Sequence, residues 1–329
     1  MSNLLDAAGL RIALGNPASQ YPSEFEPATG TLWSRFNPRG TACFSLGLLN
    51  DMRAHDDKLV RGNGCLAIEG ETHEVAYHVT ASGTPGVFNL GGDLALFVLL
   101  IKARDREALA HYARLCIDIV HARSQSYFSP RLTTIALVQG DALGGGFECA
   151  LASDLIFAEE SAQLGFPEIL FNLFPGMGAY SLLSRRIGMK ATEELILSGR
   201  ILGAAELHAL GAVDVLVKDG EGAAAVADWI ARRARSRNGT QAAIAARRRV
   251  QAVTREELDA ITGLWVDAAF RLSDRDLKMM SRIVRAQMRR MELGGVQDVG
   301  AEALAEEQEA RDAARAEPQV AAALAAAAA

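Results

Sequence analysis

Three glycines in succession, Gly144, Gly145 and Gly146, separate an apolar, β-branched run, LTTIALVQG (residues 132–140), from a helical stretch that carries a carboxylate, Glu148, at its start. Glycine loses more backbone freedom on folding than any other residue, so a run of three needs a reason. Three reasons compete. A Walker loop requires Gly-Lys-Ser/Thr, where Phe147-Glu148 stands. The dinucleotide fingerprint requires a glycine where Cys149 stands, and a carboxylate in the first turn would repel phosphate. A tight strand-to-helix turn explains the glycines through φ > 0 alone, with Glu148 complementing the helix dipole. An oxyanion hole explains them through chemistry. Bare glycine admits a substrate to the backbone, and the first N–H groups of a helix have no intrahelical partner. They can therefore receive the charge that develops on a thioester enolate. On this reading Gly145 is expected at φ > 0.

The surrounding sequence separates the last two readings. QLGFPEILFNLFPGMGAYSLLSRRIG (residues 163–188) places a second carboxylate, Glu168, directly after Pro167 and among Phe166, Ile169, Leu170 and Phe171. A lone Glu in that company is paired, set in a cleft, or functional. Upstream, FNLGGDL supplies a second glycine turn, Gly91-Gly92, ahead of another helix for which Asp93 is the expected N-cap. Two glycine turns at helix starts and two carboxylates are the parts of an enolate-stabilising site.

The rest of the chain supplies a fold for these parts. EVAYHVTAS, GVFNL, LTTIALVQG, DLIFAEE and AVDVLV read as strands. They alternate with helical stretches such as DREALAHYARLCIDIVHARS, a helix from about Phe147, and ATEELILSG, so an α/β fold is expected. Residues 1–30 carry Pro and Ser without periodicity and read as a loosely ordered arm. Residues 31–220 form the α/β core, residues 221–294 four helical segments without strands, and residues 295–329 an Ala/Glu-rich tail expected to lack packed structure.

Composition narrows the function classes. With 329 residues, 50% hydrophobic and a formal net charge of −6, the chain has no basic block with interleaved aromatics and does not read as a nucleic-acid binder. No stretch reaches the roughly 18 uncharged apolar residues of a membrane span, and the N-terminus does not read as a secretory signal. Four scattered cysteines read as reduced, buried thiols, so the cytoplasm is the expected compartment.

The segment ALVQGDALGGGFECALASDLIFAEESAQLGFPEILFNLFPGMGAYSLLSRRIG closely resembles the core of the crotonase (enoyl-CoA hydratase/isomerase) superfamily. FNLGGDLALF, FPEILFNLFPGMGAYS and LWVDAAFRLSDRDLKMMSRIVRAQMRR look most like the diffusible signal factor synthases of bacterial quorum sensing, over roughly residues 31 to 292. The resemblance implies a crotonase fold, a spiral of β-β-α turns with a helical C-terminal trimerisation region, assembled as a homotrimer or dimer of trimers. It implies an oxyanion hole from the backbone N–H groups of Gly92 and Gly145, and catalytic Glu148 and Glu168. It also implies dehydration of a 3-hydroxyacyl thioester on acyl carrier protein to a cis-2-enoyl thioester, followed by hydrolysis to the free acid. Glu168 would take the C2 proton and Glu148 donate to the departing hydroxyl. No cofactor or metal is implied. The plain hydratases carry an Ala-rich turn and a nearby cation suited to coenzyme A. Phe88-Asn89-Leu90-Gly91-Gly92 stands here instead, which favours the carrier protein over a coenzyme A thioester. A plain enoyl-CoA hydratase and a regulatory protein docking a sensor kinase are the rival expectations.

Other candidates read more plainly. HEVAYH (residues 73–78) has one residue too many for a zincin motif, and His73 and His78 would face opposite sides of one strand. The run Ala246–Val250, ARRRV, reads as a solvated helix face that could meet an acidic carrier. Trp265 and Phe270 are either core residues or the lining of an acyl pocket.

Overall fold

The computed structural model describes residues 11–293. The strands are β1 (Ile12–Leu14), β2 (Ser23–Glu26), β3 (Thr31–Phe36), β4 (Cys65–Ile68), β5 (Glu71–Glu74), β6 (Tyr77–Ser82), β7 (Gly86–Asn89), β8 (Thr133–Val138), β9 (Gly140–Leu143), β10 (Leu155–Glu159), β11 (Gln163–Gly165), β12 (Ile201–Gly203) and β13 (Val215–Val217). The helices are α1 (Leu46–Arg61), α2 (Leu94–Lys102), α3 (Arg106–Ser124), α4 (Gly145–Leu151), α5 (Ala179–Ile187), α6 (Met189–Ser198), α7 (Ala204–Leu210), α8 (Gly222–Arg233), α9 (Arg237–Val250), α10 (Arg255–Ala269) and α11 (Asp274–Leu293).

Strands from successive turns build two sheets. A seven-stranded sheet has the order β1-β2-β3-β6-β8-β10-β13, and a four-stranded sheet the order β12-β11-β9-β7. In each turn the chain lays one strand in the large sheet, the next in the small sheet, and then a helix: β6, β7, α2; β8, β9, α4; β10, β11, α5. The strand pairs β6–β8 and β8–β10 are parallel, as are β7–β9 and β9–β11. All six residues of β8 are buried, which is why its sequence is an unbroken apolar and β-branched run without alternation. The expected β-β-α spiral and the helical stretch after residue 221 are both present among the described residues.

Two expectations are corrected. Residues 11–30 are not a loose arm: β1 and β2 extend the large sheet as antiparallel strands. Phe25 and Tyr21 are buried, and the Tyr21 hydroxyl meets Thr80 and Arg123. Those partners lie far away in sequence, so no local periodicity announces them. The helix expected from about Phe147 begins at Gly145, with Gly144 as its N-cap. Residues 1–10 and the expected tail, residues 295–329, lie outside the described residues. Among the described residues, no helix is long and apolar enough to cross a membrane.

Other local expectations resolve one by one. Asp93 caps α2, its side chain accepting from Leu96 N at 3.0 Å. Asp154 is structural: its Oδ2 accepts from Ser126 Oγ and Thr134 N. His73 and His78 lie on different strands, β5 and β6, and His78 is buried between Tyr127 and Ser34. The arginine run is not wholly a solvated face, because Arg248 turns inward to pair with Asp154 at 3.0 Å.

Candidate active site

The three parts of the site leave the carboxyl ends of three neighbouring parallel strands. Gly91-Gly92 follows β7, the triple glycine follows β9, and Glu168 follows β11. Adjacent strands lie roughly 4.8 Å apart, so successive turns of the spiral deliver these residues side by side. The ends of parallel strands are also where open α/β sheets bind ligands. Phe44 N donates to Gly91 O at 2.8 Å, and Gly144 N to Gly165 O at 2.8 Å, fixing the turns to their neighbours. A Cβ placed on Gly91 would lie 3.0 Å from Gly145 N, so the two glycine turns are in direct contact.

Each glycine of the triplet has its own reason. Gly144 holds φ 51° and ψ −123°, a conformation essentially reserved for glycine. Its missing side chain leaves the space that the Glu168 carboxyl occupies. Gly146 lies against the backbone of Asn89, whose carbonyl carbon would be 2.7 Å from an added Cβ. Gly145 is the first residue of α4, where a backbone N–H has no intrahelical partner. It has no positive φ, contrary to expectation. An added Cβ there would meet only Met177 Sδ at 3.2 Å and Phe44 at 3.4 Å.

Gly92, Gly144, Gly145, Glu148 and Glu168 line one cleft, whose other walls are largely apolar. Glu148 is 1% exposed, and its Oε1 accepts from Met177 N at 2.7 Å and Ala179 N at 2.8 Å. Burial pushes its carboxyl up to about 7, against the pull of those two N–H groups. Glu168 is half-buried as a residue, but its Oε2 is enclosed and has no hydrogen-bond partner. Burial first, and the charge of Glu148 second, push its carboxyl well above the usual range. The pair therefore shares one proton over a wide range around neutrality, with Glu168 as its preferred holder in the empty site.

Trp265 lines the same cleft and is 6% exposed. Phe270 does not: it caps the end of α10 and packs, partly buried, against the main core. Several cleft residues escaped the sequence reading. Tyr112 on α3 donates to Phe44 O at 2.6 Å and accepts from Asp93 N at 3.1 Å, tying the first glycine turn to the helix behind it. Its helical spacing marks it only as core. The N–H groups of Met177 and Ala179 belong to PGMGA, which the sequence reading singled out without assigning it a task.

The sequence pattern of the enoyl-CoA hydratase/isomerase family matches residues 71–264. The human mitochondrial enoyl-CoA hydratase domain-containing protein 2 is 36% identical over 151 residues, covering 46% of this chain and 49% of that protein. The matched segments span about half the length, or less, of the curated relatives. Among solved structures, an enoyl-CoA hydratase from Bacillus halodurans superposes with a TM-score of 0.64 at 21% identity, over 80% of this chain and 98% of that one. DspI from Pseudomonas aeruginosa superposes with a TM-score of 0.56 at 23% identity, over 86% and 99%. At these identities the likeness is one of fold.

Proposed function

The chain belongs to the enoyl-CoA hydratase/isomerase family and has its α/β crotonase fold; on that premise we propose that it dehydrates a 3-hydroxyacyl thioester carried on acyl carrier protein and then hydrolyses the resulting cis-2-enoyl thioester. The product is a cis-2-unsaturated fatty acid of the diffusible signal class. The observation that carries this reading is the pairing of Glu148 and Glu168 in one apolar cleft beside two glycine turns. The FNLGGDL turn, which differs from the coenzyme A-binding turn of plain hydratases, supports the carrier protein as the source of the thioester.

The proton inventory of the pair supports the two-step order. The thioester carbonyl accepts hydrogen bonds from Gly92 N–H and Gly145 N–H, which lowers the cost of removing the C2 proton. Ionised Glu168 takes that proton. Protonated Glu148 donates to the C3 hydroxyl, which leaves as water as the C2–C3 double bond forms. The step leaves the proton on Glu168, its preferred place in the empty site, and Glu148 as a carboxylate. Glu148 is then ready to take a proton from a water that attacks the thioester carbonyl. Glu168 protonates the departing thiolate as the C–S bond breaks. Both carboxyls thereby return to their starting states. A homotrimer in the cytoplasm is the assembly and compartment that go with this reading.

The test is to incubate the protein with 3-hydroxyacyl carrier protein and, separately, with crotonyl-coenzyme A, and to follow the products by mass spectrometry. Release of a 2-enoic acid from the carrier-bound substrate is expected. Rapid hydration of crotonyl-coenzyme A without free acid from either substrate would mean a plain hydratase instead.

A further inference from the structure

We propose that Trp265 and Phe97, wedged between Gly176 and Gly92, set the length of acyl chain the cleft accepts, and that Gly176 is the specificity-determining position. This rests on the reading of the cleft as an acyl-thioester site. All four residues line it.

The geometry leaves no slack. The Trp265 indole lies on the bare Cα of Gly176: a Cβ there would come within 2.8 Å of Cδ2 and closer still to Cγ and Cδ1. The indole meets Phe97 edge to face, with ring centroids 5.2 Å apart at 70°. Phe97 in turn lies on the bare Cα of Gly92, where an added Cβ would be 2.7 Å from its Cζ. Its flank is held by Tyr112, with centroids 5.1 Å apart. Thr262 Oγ1, one turn before Trp265 on α10, donates to Gly176 O at 3.0 Å and locks the helix to the loop. The sequence from Gly176 to Gly92 is thus glycine, indole, phenyl, glycine, with backbone at both ends.

A side chain at Gly176 must displace the indole. Phe97 cannot retreat, because Gly92 stands behind it, and α10 cannot lift without breaking the Thr262 bond. The only free direction is into the cleft. The outcome is a shorter acyl pocket, with the catalytic carboxylates untouched.

The probe is a homologous series of straight-chain methyl ketones, which offer a carbonyl to the oxyanion donors but have no group to lose. Binding is measured by calorimetry for the wild type, Gly176→Ala, Trp265→Leu and the double variant, with circular dichroism as the folding control. Each buried methylene is worth about 0.8 kcal/mol, so losing room for two or three weakens the longest bound ketone by about tenfold or more. Gly176→Ala should show that loss while the shortest ketones bind as before, and Trp265→Leu in the same background should restore the long ones. Trp265→Leu alone should extend the accepted length, which decides the matter if Gly176→Ala does not fold. A uniform loss across the series, or no restoration in the double variant, overturns the inference. Failure of the wild type to bind any ketone overturns the acyl-site reading itself, and this inference with it.

Discussion

The carboxyl of Glu168 stands where a side chain on Gly144 would stand. A Cβ at Gly144 would lie 3.2 Å from Glu168 Cδ and closer still to Oε1. One candidate catalytic group therefore owes its position to the absence of a side chain on another strand's turn. Replacing Gly144 by Ala should cost about 1–3 kcal/mol for its positive φ and also expel the carboxyl. Turnover of a 3-hydroxyacyl thioester should fall far more than the shift in melting temperature implies.

The other two glycines should separate catalysis from folding. Gly145→Ala keeps a helical conformation in which alanine is the better residue by about 1 kcal/mol, so the melting point should hold or rise. Its methyl stands beside the N–H offered to the substrate, and loss of one such donor costs about 10²- to 10³-fold in kcat. Gly146→Ala instead meets the Asn89 backbone and should chiefly unfold the protein. Melting curves and kcat for the two variants check this. Equal effects of both substitutions on both quantities would contradict it.

Removing a carboxyl should trade activity for stability. Glu168→Gln and Glu148→Gln should each lower dehydration by about two to four orders of magnitude, the usual worth of general acid–base help. Burial raises both folded-state values above the unfolded carboxyl value of 4.5. The folded state therefore holds protons that the unfolded state has released, and stability declines as pH rises above about 4.5, the unfolded value. Glu168→Gln removes that penalty. Its melting temperature should exceed the wild type's by a margin that widens from pH 5 upward, as thermal scans across pH will show.

Activity should need the one-proton form of the pair. Below about 7 Glu148 gains a proton and both carboxyls are neutral, leaving no base. The value of kcat/KM for dehydration should therefore rise with pH through about 7 and hold until the second proton is lost at higher pH. In Glu168→Gln, where the charge of the partner is gone, the residual activity should lose this shape. A flat profile across pH 6 to 8 in the wild type would argue against the shared proton.

Tyr112→Phe should loosen the first glycine turn. The change leaves the Phe44 carbonyl without its 2.6 Å partner in a buried setting, at a cost of about 1–3 kcal/mol. It also frees Asp93 N, next to Gly92. The expected result is a lower kcat with little change in KM, since the proposed oxyanion donor acts mainly in the transition state. Steady-state kinetics on a 3-hydroxyacyl thioester will distinguish this from a purely structural effect, which would lower the melting point alone.

The sequence by itself determined the α/β class, the change to helices after residue 221, and the identity of the two glycine turns and two carboxylates. Those features are local: strand runs, helix periodicity and glycine runs each leave a signal within a few residues. The tertiary structure decided what the local signals do not encode. It brought Gly92, Gly145, Glu148 and Glu168 to one cleft, because they follow three strands that become neighbours only when the spiral closes. It separated the three adjacent glycines into a seat for Glu168, an N–H at the helix start and a packing contact. It placed β1 and β2 in the large sheet, and it put Trp265 in the cleft while leaving Phe270 in the core. Each of these rests on contacts between residues distant in the chain, where side-chain direction and strand register, rather than residue type, decide the outcome.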